Sequence, residues 1–113
     1  NEANAIVPGK RMLSSMTPTI ILKDGNPFMV VGSPGGGRII TAVYTTIVNV
    51  IDHKMSLDSA IDRPRFHHQL TEKGHTVKQI SDYGRVEGIL IDWKNKKYYG
   101  HSDRRGYGAA IGY

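Results

Sequence analysis

Two short apolar runs near the start of the chain predict a β-hairpin. Residues 19–22 (TIIL) and 28–31 (FMVV) are rich in the β-branched and aromatic types that favour strands. Residues 23–26 (KDGN) separate the two runs, and the Asp-Gly pair favours the left-handed backbone of a tight turn. Because both runs are apolar at successive positions, we expect them to lie in a sheet that is covered on both faces.

A helix is predicted after the second run, beyond a glycine-rich turn at residues 32–37 (GSPGGG). Apolar side chains recur at helical spacing through residues 38–53. Many of them are β-branched, which lowers helix propensity, so we expect tertiary burial to stabilise this helix. Ser56 can cap a second, short helix that runs through Ile61, and Pro64 ends it.

The second half of the chain has a weaker pattern. It favours an extended segment at residues 65–69, a helical turn at 70–74, and strands at 75–78, 86–92 and 96–100. The last two strands form a second hairpin, whereas residues 106–113 are too rich in glycine for a stable element. Hairpins that flank helices predict an α+β domain with mostly antiparallel sheet.

The chain has 113 residues, enough for one domain, and a formal net charge of +5. Cationic and aromatic residues alternate near its end: Lys94, Lys96, Lys97, Arg104 and Arg105 with Trp93, Tyr98 and Tyr99. We prefer a solvated hairpin edge that lysine protects from aggregation, and keep a basic polyanion-binding module as an alternative. The sequence has no cysteine and no apolar run of the about 20 residues that span a bilayer, so we expect neither a disulfide nor a membrane span in this chain.

The glycine turn is the most informative chemical feature. Glycine lacks a Cβ atom, so a ligand can approach the amides of Gly35, Gly36 and Gly37 closely. The helix that follows directs its unpaired N–H groups and the positive end of its dipole to the same place. Such a turn suits a phosphate, a carboxylate or the oxyanion of a tetrahedral intermediate, although glycine at a strand-to-helix turn also serves packing alone.

Ser33 precedes the glycines, which makes a serine hydrolase a rival interpretation. The nucleophile pattern Gly-x-Ser-x-Gly is missing, and Pro34 removes an N–H that such a turn uses for its oxyanion, so we reject it. His67 and His68 suggest a metal, but adjacent residues on an extended chain point to opposite sides, and no acidic or cysteine cluster is close in sequence. We expect no metal and no other cofactor.

Ser14 and Ser15 place two hydroxyl groups side by side just before the first hairpin. Both can donate to one carboxylate, because planar recognition of that group needs more than one donor. Without further context, a turn in which both serines bond to their own backbone is the simpler interpretation.

Six segments of the chain resemble γ-glutamyltranspeptidase in the same order and at the same spacings. They are residues 2–6 (EANAI), 8–11 (PGKR), 13–20 (LSSMTPTI), 32–36 (GSPGG), 38–41 (RIIT) and 64–69 (PRFHHQ). The series is highly specific, and residues 100–105 with Gly112 and Tyr113 resemble the end of the family more loosely.

The resemblance implies an N-terminal-nucleophile fold, an αββα sandwich, with residues 1–113 as the C-terminal part of the small subunit. It implies that Ser14 and Ser15 bind the α-carboxylate of a γ-glutamyl group and that the amides of Gly35 and Gly36 form the oxyanion hole. The nucleophile, an N-terminal threonine made by autoprocessing, would lie outside this chain, so the piece alone should be inactive. The implied partners are the large subunit, the rest of the small subunit and a small molecule such as glutathione, with no nucleic acid. The implied location is periplasmic or extracellular.

Two departures from the family pattern accompany this resemblance. After Gln69 the chain continues directly to residues 70–74 (LTEKG), so a family loop is deleted, shortened or left out of the sequence. The family's Ser-Asp-Pro-Arg ending appears as residues 102–105 (SDRR). A related N-terminal-nucleophile acylase is a second hypothesis, which the paired serines make less suitable because they supply a carboxylate site.

Overall fold

The computed structural model describes residues 5–11, 16–71, 74–80 and 84–111, and for 66–71 and 74–80 it describes the backbone alone. In chain order the elements are β1 (Thr19–Lys23), β2 (Asn26–Gly32), α1 (Ile39–Ile51), α2 (Leu57–Asp62), β3 (Arg65–Thr71), β4 (Gly74–Ile80), β5 (Glu87–Asp92) and β6 (Lys97–Ser102). A 3-10 turn at Gly36–Arg38 leads into α1. The expected α+β class is confirmed.

Both expected hairpins belong to one four-stranded antiparallel sheet with the strand order β1-β2-β5-β6. The first hairpin turns at Asp24 and Gly25, whose φ angles are 52° and 79°. Positive φ at both central residues defines the type I′ turn, whose twist matches that of the flanking strands. The Asp-Gly prediction is therefore confirmed in its position and its backbone conformation.

The four-stranded sheet is covered on one face only within the described chain. Met29 and Val31 on β2 are 0% and 1% exposed, whereas Val30 between them is 36% exposed and Ile20 on β1 is 65% exposed. Successive strand residues point to opposite faces, so Met29 and Val31 lie on the covered face. The expectation of cover on both faces is wrong for this chain, because its helices contribute core residues to one side alone: Ile39, Ala42, Val43, Val50, Leu57, Ala60 and Ile61.

β3 and β4 form a separate two-stranded antiparallel sheet whose register runs from Arg65↔Ile80 to Thr71↔Gly74. The strands expected at residues 65–69 and 75–78 are confirmed. The helical turn expected at 70–74 is wrong, since Leu70 and Thr71 continue β3 and Gly74 begins β4. Pairing across the hairpin satisfies the backbone groups that a helical turn would have satisfied locally.

Helix α1 follows the expected pattern, and burial accompanies its many β-branched residues. Its buried positions are Ile39, Ala42, Val43, Thr46 and Val50. Ser56 occupies the N-cap position of α2 as expected, but its Oγ contacts the Oγ of Ser59 at 2.9 Å instead of a backbone N–H. Within the described ranges, neither helix is long and apolar enough to cross a membrane.

Candidate functional site

The glycine turn joins β2 to α1 and lies on the surface, with residues 34–38 exposed. Gly35 has a φ of 140° and Gly36 a φ of 59°, conformations that glycine adopts far more readily than other residues. The carbonyls of these two glycines accept the N–H groups of Arg38 and Ile39. Among the residues that the structure describes, no backbone carbonyl accepts the N–H of Gly35 or Gly36. Both donors are therefore available to an outside acceptor beside the positive end of α1.

Gly84 closes the inner side of this turn. A Cβ atom on Gly35 would lie 3.4 Å from the Cα of Gly84. A Cβ atom on Gly84 would lie 3.1 Å from the Oγ of Ser33 and 3.2 Å from the Cβ of Ala42. By contrast, a Cβ atom on Gly36 would meet nothing within 4 Å. The turn is therefore packed against the protein on one side and open to a ligand on the other.

Ser33 is buried beneath the turn, with 1% of its surface exposed, and its hydroxyl makes two hydrogen bonds. The Oγ accepts the backbone N–H of Arg85 at 3.1 Å and donates to the carbonyl of Pro34 at 2.8 Å. This arrangement agrees with the rejection of Ser33 as a nucleophile. Sequence analysis missed the role that Ser33 does have, because its partner Arg85 lies 52 residues away along the chain.

An ion pair lies deeper below the turn. Arg65 and Asp103 are 3% and 1% exposed, and 2.5 Å separates the Nη2 atom of the arginine from an Oδ2 atom of the carboxylate. The Nη1 atom of Arg65 donates to the carbonyl of Gly84 at 3.3 Å. Asp103 also accepts the backbone N–H groups of Val86 at 3.1 Å and of Arg105 at 3.0 Å. The pair thus fixes both ends of the segment that packs against the glycine turn.

The carboxyl group of Asp103 has a lowered pKa. Burial by itself would raise this pKa, because it disfavours the charged form. Hydrogen bonds from the backbone N–H groups of Arg105 and Val86 and from the guanidinium of Arg65 outweigh burial and hold the pKa below its ordinary value of 3.8. The group is therefore a carboxylate at neutral pH.

A cavity of about 610 Å³ lies beside the turn and is lined by Pro34, Gly35, Gly84, Arg85, Arg104 and Arg105. The guanidinium of Arg105 is directed toward the protein, where it donates to the carbonyls of Ile61 at 3.3 Å and Asp62 at 3.1 Å. It also contacts the carboxylate of Asp103 at 3.0 Å. These contacts reduce the charge that the expected basic cluster of residues 94–105 presents to a polyanion.

A larger cleft of about 1040 Å³ lies along the sheet and borders Gly32 at the start of the glycine turn. Apolar and aromatic side chains of the sheet contribute much of its lining, among them Val30, Ile89, Leu90, Tyr98 and Tyr99. Neither Gly35 nor Gly36 borders it. We place the chemistry at the glycine turn despite the smaller cavity there, because the available backbone donors lie at the turn.

Ser14 and Ser15 lie outside the described residues, but the segment that follows them is placed. A Cβ atom on Gly32, which begins the glycine turn, would lie 3.8 Å from the carbonyl of Thr17 and from the Cα of Pro18. The antiparallel pairing of β1 with β2 has the same consequence, since it sets the start of β1 beside the end of β2. Thr17 and Pro18, which follow the predicted serines in sequence, therefore lie beside the start of the glycine turn at one end of the sheet.

The predicted histidine pair lies in β3, whose backbone is extended as expected, while the side chains of His67 and His68 are outside the description. Over the described ranges, no group of three His, Cys, Asp or Glu side chains could hold a metal ion. His101 lies elsewhere, at the end of β6, where its Nε2 atom is 3.2 Å from an Oδ2 atom of Asp62.

Comparison with known proteins identifies the family to which these features belong. The sequence model of the family described as Gamma-glutamyltranspeptidase matches residues 1–113. The chain belongs to the γ-glutamyltranspeptidase family. It superposes on the γ-glutamyltranspeptidase of Pseudomonas nitroreducens complexed with L-DON with a TM-score of 0.80 and 35% sequence identity, over 98% of this chain and 68% of that chain. The expected N-terminal-nucleophile fold class is thereby confirmed.

Curated relatives support the same family. A glutathione hydrolase proenzyme of Pseudomonas sp. (strain A14) is 50% identical over 95 residues, which are 84% of this chain and 16% of that protein. An acylase ACY 1 proenzyme of Pseudomonas sp. (strain SE83) is 46% identical over 63 residues, which are 56% of this chain and 11% of that protein. The chain therefore spans less than a fifth of the length of each of these two relatives.

Proposed function

We propose that this chain is the C-terminal part of the small subunit of a γ-glutamyltransferase or glutathione hydrolase. In this proposal it supplies the oxyanion hole and the carboxylate-binding serines, and residues outside the chain supply a threonine nucleophile. The observation that carries the proposal is the pair of available N–H groups at Gly35 and Gly36, on an exposed turn before α1.

The reaction needs such donors at one step. When a nucleophile attacks an amide carbonyl, the oxygen gains negative charge, and fixed N–H groups stabilise that charge without reorganisation. Each donor of this kind typically raises kcat by a factor of about 10²–10³. The turn suits this role because Gly84 holds its inner side while its outer side is open.

Binding of the α-carboxylate of the γ-glutamyl group is assigned to Ser14 and Ser15. The support is twofold: two adjacent hydroxyls can both donate to one carboxylate, and residues 17 and 18 run beside Gly32 at the start of the glycine turn. The substrate would then be held at its carboxylate by the serines and at its reacting carbonyl by the glycine amides.

The remaining groups of the active site are assigned to the rest of the precursor, whose relatives are named proenzymes. The threonine would act as nucleophile with its own α-amine as the base, and the large subunit would complete the substrate site. The location proposed for the whole enzyme is the periplasm or the exterior of the cell. The 113-residue chain by itself is expected to be inactive.

Hydrolysis of anilide substrates by the complete processed protein tests the proposal. We expect turnover of a γ-glutamyl anilide by the complete protein and none by the 113-residue chain. Absence of turnover by the complete protein would refute the enzyme assignment, and turnover by the isolated chain would refute the placing of the nucleophile outside it.

A second substrate tests the serines. The variants Ser14→Ala and Ser15→Ala should lower kcat/KM for the γ-glutamyl anilide by about tenfold or more each, as expected for a lost hydrogen bond to a charged group. They should leave kcat/KM for a 4-aminobutyryl anilide nearly unchanged, because that substrate lacks the α-carboxylate. Equal losses on both substrates would contradict the assignment.

The acylase alternative is kept because of the acylase ACY 1 relative. A glutaryl anilide retains the carboxylate of the γ-glutamyl group and lacks its α-amine. Preference for the γ-glutamyl anilide supports the transferase or hydrolase, whereas preference for the glutaryl anilide supports an acylase.

A further inference from the structure

We infer that Ser33 is a positioning residue for this reaction, which orients and polarises the N–H of Gly35 through a chain of hydrogen bonds that begins at Arg65. The inference rests on the proposed function, since it concerns one donor of the proposed oxyanion hole. Ser33 does not touch the substrate in this scheme and acts through the peptide group that follows it.

The orientation follows from the planarity of one peptide group. The carbonyl of Pro34 and the N–H of Gly35 belong to the same peptide, and no peptide bond among the described residues is cis. In a trans peptide the C=O and the N–H point in opposite directions. Ser33 holds the Pro34 carbonyl toward the buried side by a bond of 2.8 Å, so the Gly35 N–H is directed away from that side.

The N–H of Gly35 is polarised by the hydrogen bonds that lead from Arg65 to Ser33. The charged guanidinium of Arg65 donates to the carbonyl of Gly84 at 3.3 Å. That carbonyl shares its peptide with the N–H of Arg85, which donates to the Oγ of Ser33 at 3.1 Å. Hydrogen bonds in such a chain strengthen one another, so a positive charge at the start makes each later N–H or O–H a better donor. The last group in this series of hydrogen bonds is the N–H of Gly35.

The turn needs a hydrogen bond that fixes its backbone, because glycine itself restrains the backbone little. With a φ of 140° and a ψ of 21°, Gly35 has a conformation that L side chains rarely adopt, and a glycine backbone can leave it at low cost. Rotation of the Pro34–Gly35 peptide would turn the N–H away from the substrate. The buried hydroxyl of Ser33 opposes this rotation by its bond to the Pro34 carbonyl.

The central test is Ser33→Ala in the complete precursor, assayed on the processed enzyme with the γ-glutamyl anilide. Active-site titration with a covalent inhibitor corrects kcat for the fraction of competent sites. We expect kcat to fall by about 10- to 100-fold, less than for complete loss of a donor, while KM changes by less than about twofold. Ser33→Cys retains a weak donor and acceptor at similar size, so its kcat should lie between those of the wild type and Ser33→Ala.

Thr46→Val is the matched control. Thr46 is as buried as Ser33, at 1% exposed, but among the described residues its hydroxyl donates within α1, to the carbonyl of Ala42 at 2.9 Å. Loss of this hydroxyl should lower the melting temperature and leave kcat per titrated site unchanged. A fall in kcat equal to that of Ser33→Ala would overturn the inference, because general destabilisation would then explain both results.

The remaining outcomes are also decisive. Wild-type kcat per titrated site in Ser33→Ala overturns the inference. If that variant does not mature, Ser33→Cys decides: a fall in kcat of about three- to tenfold supports the inference, and a wild-type value overturns it. If the wild-type enzyme does not hydrolyse the γ-glutamyl anilide, the proposed function is refuted. This result differs from the outcomes that overturn the inference about Ser33, in which the wild-type enzyme is active.

Discussion

Arg65 and Asp103 lie 38 residues apart in the chain and form a buried ion pair, with 2.5 Å between the Nη2 and Oδ2 atoms. Arg65 begins β3, and Asp103 directly follows β6. Among their other bonds, Arg65 donates to the Gly84 carbonyl and Asp103 accepts the Val86 N–H, two groups that flank the segment under the glycine turn. The pair therefore connects the two sheets to the candidate site, and changes in it should affect both stability and catalysis.

Replacement of Asp103 by asparagine should destabilise the protein strongly. The change leaves the charge of Arg65 buried without its counter-charge, and breaking a buried pair in this way typically costs about 3–5 kcal/mol. Thermal or denaturant unfolding of the complete protein measures the loss. Arg65→Met should have a comparable effect, since it leaves the carboxylate of Asp103 buried and less satisfied.

The contact between the side chains of His101 and Asp62 provides the control for this prediction. Both side chains of that pair are 28% exposed, so water screens their interaction. Asp62→Asn should therefore cost less than about 1 kcal/mol. Losses of similar size in Asp103→Asn and Asp62→Asn would contradict a special role for the buried pair.

The lowered pKa of Asp103 predicts the pH dependence of stability. A carboxyl group whose pKa is lower in the folded state than its ordinary value of 3.8 stabilises the fold above that value. This contribution is lost as the pH falls through the lower, folded-state pKa, because protonation then removes the pairing with Arg65. We expect the melting temperature to fall below about pH 4 and expect Asp103→Asn to reduce that dependence. If the melting temperature of Asp103→Asn falls with pH as steeply as that of the wild type, other carboxylates are responsible for the acid sensitivity.

Local signals predicted most of the fold. The Asp24-Gly25 pair and the spacing of apolar residues in α1 act over a few neighbours, so the sequence contains the information directly. The turn predicted at residues 70–74 failed because a glycine near a polar stretch fits a helix end as well as the start of a strand. The cover expected on the second face of the sheet is not present in this chain, because the helices of the chain pack against one face alone.

The candidate site was predicted in part for the same reason. The glycine turn was evident from composition and from the helix after it, and Gly35 and Gly36 lie where that pattern puts them. The bond from Arg85 to Ser33 and the close approach of Gly84 to Gly35 are contacts between distant segments. No local pattern encodes such contacts, so only coordinates could provide them.

Alanine substitutions along the glycine turn should differ in their effects on stability. Gly35→Ala forces a side chain into a φ of 140° and against Gly84, which should cost about 1–3 kcal/mol or more. Gly36→Ala requires only a left-handed conformation in open space, at about 1–2 kcal/mol. Gly37→Ala has neither a positive φ nor a neighbour within 4 Å and serves as the control, with little or no loss. Melting temperatures of the complete protein should follow this order, and an equal loss at all three positions would contradict the described turn.

The exposed face of the sheet leads to a further prediction. Ile20, Val30 and Ile89 are neighbours across β1, β2 and β5, and they are 65%, 36% and 44% exposed in this chain. A row of apolar side chains across three strands is typical of a surface that another part of a protein covers. Under the proposed function, the rest of the precursor covers it, as an αββα sandwich requires.

Ile89→Lys should therefore separate assembly from the fold of this chain. In the complete precursor a buried lysine without a partner is costly, so we expect a lower yield of processed protein and a lower melting temperature. In the isolated 113-residue chain the same change should increase solubility, because it interrupts an exposed apolar surface. Lys96→Gln, in the exposed turn between β5 and β6, is the control. It should leave the yield and the melting temperature of the precursor and the solubility of the isolated chain unchanged. Full yield and stability of the Ile89→Lys precursor would show that this face stays in contact with water in the complete protein.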